Sequence, residues 1–144
     1  MDALRRVILI VAVASLIGCD PGSFKRFPID EVSSTPPIEQ VLREFDAEPL
    51  RGGFVRAEVS PEVARAYLNC ECRVLRWYDR DTPVTLERGS FFYLAVFVDP
   101  TEQLAIASGA FPSFGEPGDL KELRLALSRR LTENGFLVHD TQLR

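Results

Sequence analysis

Cys70-Glu71-Cys72 is the most unusual local feature of this 144-residue sequence. Two thiols separated by one residue can close a small disulfide, exchange with other thiols, or offer soft ligands to an ion such as Cu(I). On a strand, residues i and i+2 share a face, but their Cα atoms then stand near the upper limit for a bridge. In a helix the Cβ atoms diverge. A disulfide therefore needs a bend, which Glu71 can supply at a helix–strand junction. Ordinary buried or free thiols and redox exchange stay open beside it. No third soft ligand is in view, so neither a metal site nor a cofactor is assigned.

The only histidine, His139, precedes Asp140, and a His–Asp pair can orient a general base. On a strand, however, adjacent side chains point to opposite faces, so these two do not easily bond each other. No Gly-x-Ser-x-Gly elbow supplies a nucleophile. Asp79-Arg80-Asp81 has only the opening of a calcium loop: Pro83 occupies the third acidic position and no distal glutamate is in register. A solvated hairpin turn is expected there. Nothing fixes Glu71, Glu87, Asp99 and Glu102 at the separation of a hydrolytic carboxylate pair, and no residue is expected to be catalytic. Residues 109–118 lack the lysine of a phosphate loop. Their Phe111 and Phe114, on a proline-stiffened segment, can anchor a partner at low entropic cost. Alternatively both rings tuck under the sheet edge and close the core, the reading favoured by the usual burial of large apolar side chains. Trp77 and Tyr78 get the same answer.

The elements that carry these residues follow from periodicity. Thr35-Pro36-Pro37 opens a helix whose Ile38, Val41, Leu42 and Phe45 form one apolar stripe. Residues 54–59 alternate as a strand, and Ser60-Pro61-Glu62 starts a second helix that buries Val63, Ala64, Tyr67 and Leu68. Strands are expected over residues 73–79, 84–87, 91–98 and 103–107. The third of these is continuously apolar, which implies burial on both faces and a central position. Asp119 and Glu122 form a capping-box pattern ahead of Leu123, Leu127 and Leu131, with Leu120 on the same side. Gly135 falls at a left-handed C′ position, and Leu137-Val138 give a last short strand. The order β-α-β-β-β-α-β, with an extra N-terminal helix, predicts an α+β fold: an antiparallel sheet with helices packed on one face, over residues 35–144.

The chain begins differently. Arg5 and Arg6 head an apolar run over residues 7–17 interrupted only by Ser15, and small Gly18 precedes Cys19. This is the charged–apolar–small layout of a secretory signal. The run is about half the roughly twenty residues that a spanning helix needs. Its ending, Leu16-Ile17-Gly18-Cys19, resembles the lipobox of bacterial lipoproteins. The resemblance implies that residues 1–18 are a signal peptide and that Cys19 becomes the mature N-terminus, carrying a diacylglyceryl thioether and often an added acyl chain such as palmitate. Two or more chains are what stable anchoring requires. The protein is then expected on the cell membrane, facing the periplasm. Asp20 resembles the inner-membrane retention signal of enteric lipoproteins; under other sorting rules the outer membrane stays open. Residues 19–34 read as the lipidated N-terminus and a tether, on the order of 20 Å in root-mean-square span. Phe24, Phe27 and Ile29 are unusual in a free linker and are expected to lie against the domain or the membrane interface.

After residue 18, fifteen Lys and Arg stand against twenty Asp and Glu, a net charge of −5. Such a domain is a poor match for nucleic acid and is not drawn to an anionic leaflet, so attachment falls to the lipid. The expectation is a non-catalytic, lipid-anchored module that binds another envelope protein as an assembly or accessory factor. Its closing pattern, Asn134-Gly135-Phe136-Leu137-Val138 after a leucine-striped helix, is similar to that of small envelope-biogenesis lipoproteins. A periplasmic immunity or inhibitor lipoprotein is the second reading. A thiol redox or metal-binding protein using Cys70 and Cys72 is the third.

Overall fold

Alternation of side chains along extended backbone lets one sheet serve two cores, and this chain uses both sides. A computed structural model describes residues 22–32, 36–80, 84–85 and 89–140; Cys19 and its signal, Asp81, Pro83 and Glu87 lie outside the described residues. The strands are β1 (Ser23–Glu31), β2 (Val55–Ala57), β3 (Arg73–Asp79), β4 (Phe91–Val98), β5 (Leu104–Phe111) and β6 (Phe136–Val138). They form one six-stranded antiparallel sheet in the order β2-β3-β4-β5-β1-β6. The helices are α1 (Ile38–Asp46), α2 (Pro61–Leu68) and α3 (Gly118–Glu133). The fold is α+β.

Helices α1 and α3 share one face. Val41, Leu42 and Phe45 of α1 and Leu120, Leu123, Leu127 and Leu131 of α3 pack with Tyr78, Leu94, Val96 and Ile106. The opposite face is not bare, as a one-sided packing would leave it. Val63, Ala64 and Leu68 of α2 cover Trp77, Tyr93, Ala95 and Phe97 there. Strand β4 feeds both cores, which is why its eight residues FFYLAVFV show no polar alternation.

The stretch read as a tether is largely β1. It pairs with β5 from Ser23 opposite Ala110 to Ile29 opposite Leu104, and with β6 from Ile29 to Glu31. Pro28 is tolerated because its carbonyl accepts from the His139 N–H on the thinly paired β6 side, so the missing donor is not lost from the β5 ladder. Three smaller expectations also change. Val84 and Thr85 are not in a strand, and the strand expected over residues 103–107 runs on to Phe111. Asp119 does not cap α3, which starts after Pro117 without a side-chain cap. Its carboxylate accepts from Arg80 at 2.8 Å instead. Ser60 does cap α2, accepting from the Val63 N–H, and Gly135 takes the positive φ of 92°.

Gly109 carries a packing constraint. A Cβ at this position would meet the Tyr93 ring at 2.2 Å, and that ring is buried, stacked on Trp77 at 4.5 Å between centroids. A ring held on both sides cannot step aside. Gly109→Ala is therefore expected to destabilise the domain by about 1–3 kcal/mol by overpacking, read as a lower urea midpoint with an unchanged slope.

Candidate functional site

Cys70 and Cys72 form a disulfide with Cα atoms 5.2 Å apart. The bend it needs starts one residue earlier: Asn69, the C-cap of α2, is left-handed at φ 55°. The turn through Cys70 and Glu71 leads into β3. Both cysteines are half-buried against the α2 core, and Glu71 points outward to Arg65 at 2.8 Å. Closing so short a loop removes little chain entropy. The double variant Cys70→Ala/Cys72→Ala is expected to lose only about 1–2 kcal/mol, and the unreduced parent domain, unfolded in denaturant, should show no thiol reactive with a maleimide at these positions.

The titratable residues singled out in the sequence are dispersed. His139 turns to Asp30, Nε2 to Oδ2 at 2.7 Å, and this bond, with one from Gln103, holds the Asp30 carboxyl below its usual range. Asp140 turns the other way, onto Arg124. Asp99 closes the β4–β5 turn by accepting from Thr101 and Gln103 and pairs with Arg26 at 2.7 Å; the Thr101 bonds come first among the causes that lower its pKa. Glu102 sits in the same turn at φ 64°. Asp79 and Arg80 are not a solvated turn. Asp79 is buried, which raises its pKa, and the Arg80 guanidinium lies over the rings of Phe54 and Phe92. Among the described residues no group of three His, Cys, Asp or Glu side chains is placed to hold a metal ion. Trp77 and Tyr78 are core residues.

Two ion clusters, each built on a buried arginine, carry no periodic signal of their own in the sequence. Arg124, 1% exposed, bonds both carboxylate oxygens of Glu116 and reaches Asp140, with Ser108 also donating to Glu116. Burial alone would raise the Glu116 pKa, but the bonds from Arg124 and Ser108 outweigh it and hold the carboxyl low. Beyond the bulge at Leu75, Arg76 bonds Asp46 at 2.8 Å and Glu39 at 2.9 Å. Tyr78 donates to the other Asp46 oxygen at 2.6 Å, and burial followed by that bond pushes its phenol above the ordinary range. Arg124 was readable in principle: it falls on the same stripe as Leu120 and Leu127, where a charge requires a buried partner.

The apolar surface left over is more suggestive. A groove of about 320 Å³ opens between the second half of α2 and β1, with Tyr93, Phe97 and Ala107 along it, Ala66 and Asn69 on the α2 rim, and Phe24 on the other. Ala107 puts only a methyl group into the groove, and Arg26 lies over the Phe97 ring at 4.9 Å. The loop after β5 splits its two aromatics. Phe111 stacks on Phe91 with centroids 5.8 Å apart, while Phe114 is 98% exposed. The loop is short and pinned at its far end, because Glu116 is locked to Arg124. Neither sequence reading holds for both rings: one helps close the core and the other is presented to its surroundings. No family model, curated protein or solved structure matches the chain.

Proposed function

We propose that this chain is a lipid-anchored lipoprotein of the bacterial cell envelope, held by Cys19 and facing the periplasm. Its domain acts by binding another envelope protein as an accessory or assembly factor. The observation that carries the binding half is the groove between α2 and β1. It is apolar along its floor, rimmed by Arg26 and Asn69, and large enough for one or two apolar side chains of a partner. The anchoring half is supported by the lipobox resemblance at residues 16–19.

The experiment has two arms in cells. Metabolic labelling with a clickable palmitate analogue should tag the parent and not Cys19→Ser; equal tagging of both would remove the anchor. For the groove, a photocrosslinking residue replaces Arg26 on the rim, with and without Ala66→Trp. Ala66 is exposed on the rim, so the larger ring obstructs the groove without entering the core. Loss of the crosslinked protein band in Ala66→Trp is the expected result. An undiminished band would sink the groove as a docking site.

A further inference from the structure

We infer that the end of the sheet carrying Phe24 and Phe114 is a membrane-seating surface that lies on the bilayer beside the lipid anchor. This rests on the lipidation of Cys19 proposed above. Strand registers put the start of β1, the start of β4 and the end of β5 at one end of the sheet: Ser23 is opposite Ala110, and Phe91 is opposite Phe111. Three aromatics meet there in a row, Phe24 to Phe91 at 6.1 Å and Phe91 to Phe111 at 5.8 Å between centroids, with Phe114 three residues further on. Phe24 is 60% and Phe114 98% exposed.

Covalent reach supplies the occupant. Asp20, Pro21 and Gly22 alone separate Cys19 from Ser23, so even fully extended they hold Ser23 within about 14 Å of the Cys19 Cα. With the acyl chains of Cys19 in the hydrocarbon, this end of the domain stands no further from it than about two thicknesses of the polar headgroup layer. The tip is suited to that layer. Phe111-Pro112-Ser113-Phe114-Gly115 carries no charge, and the next acidic group, Glu116, is turned inward onto Arg124. A pinned loop also loses little freedom on contact. Lys25 and Arg26 beside Phe24 are exposed, but Arg26 pairs with Asp99 and Lys25 faces Glu116, and the net charge of −5 opposes acidic lipid, so the contact rests on the aromatic rings. The α2–β1 groove, on the flank of the sheet, then faces sideways along the membrane and is open to a neighbouring envelope protein.

The test uses the purified, lipidated full-length product in phosphatidylcholine vesicles. Phe114→Trp is compared with Val32→Trp, an exposed position at the opposite end of β1, after subtraction of the parent's buried Trp77. The indole at 114 should shift to the blue, be quenched by phosphatidylcholine brominated along its chains, and lose access to iodide; the indole at 32 should do none of these. If 114 remains as open to iodide as 32, the seating surface is refuted. The same holds if 114 is open in vesicles but shielded in native envelopes, an outcome that would give the loop to a protein. Tagging of the parent and Cys19→Ser by the clickable palmitate analogue, run on the same preparations, separates the two failures. A Cys19→Ser product tagged like the parent removes the anchor itself, whereas a tagged parent with an open 114 removes only the seating.

Discussion

Arg124→Met is expected to destabilise the domain by about 3–5 kcal/mol at neutral pH, the cost of leaving buried carboxylates without their cation. Against a total stability of roughly 5–15 kcal/mol this is a large fraction, and the melting temperature should fall by roughly 10–20 °C. The pH dependence identifies the cause. In the parent, Glu116 titrates below its unfolded value of about 4.3, so its stabilisation is complete above that pH and is lost as the pH drops through the lowered folded value. In the variant the same carboxyl is buried without its cation and keeps the Ser108 hydroxyl bond, so burial is no longer outweighed and the folded pKa rises. Its penalty is present at neutral pH and fades as acid protonates it. The gap between parent and variant should therefore narrow steadily from pH 7 towards pH 4 in urea titrations. A gap that stays constant would mean that lost packing of the guanidinium over Phe27, 4.1 Å from the ring centroid, and not charge, sets the effect.

Asp46→Ala should cost about 2–4 kcal/mol, because Asp46 is the acceptor shared by Arg76 and Tyr78 at the end of α1. The loss is smaller than at Arg124 since Glu39 still faces Arg76 from a more exposed position. Adding Arg76→Met removes the stranded cation, and the double variant is expected to regain at least half of the lost stability, read from urea midpoints. If single and double variants unfold together, the role of Asp46 is to fix α1 and not to neutralise Arg76.

Where periodicity was the signal, the sequence was legible. Ile38, Val41, Leu42 and Phe45 mark α1, the unbroken apolar run marks β4 as internal, and Ser60-Pro61 opens α2. The strand β1 was hidden because the positions it places on the α3 side of the sheet are Ser23, Lys25, Phe27 and Ile29, with Lys25 left exposed there. Two of those four are polar, and Pro28 breaks the strand signal further. The side of the sheet on which α2 lies was also hidden. A strand buried on both faces, as β4 is, carries no mark of which helix covers which face. Of the candidate sites, the bend behind Cys70 and Cys72 was foreseeable from two-residue geometry. The partition of Phe111 from Phe114 was not, since it depends on the ring of Phe91 from another strand and on Glu116 being drawn inward by α3.

The position of β1 has a consequence for how the molecule is made. Among the described strands it emerges first during synthesis, yet its neighbours are β5 and β6, whose residues Leu104–Phe111 and Phe136–Val138 come after all the others. Phe24, Phe27 and Ile29 must stay unpaired until β5 and β6 have been made, a long-range closure of the kind that slows folding. A prematurely ended chain that stops before Phe136 would lose both the cover on the outer edge of β1 and the second carboxylate on Arg124. Such a chain would present an open strand edge, which favours proteolysis and wrong pairing.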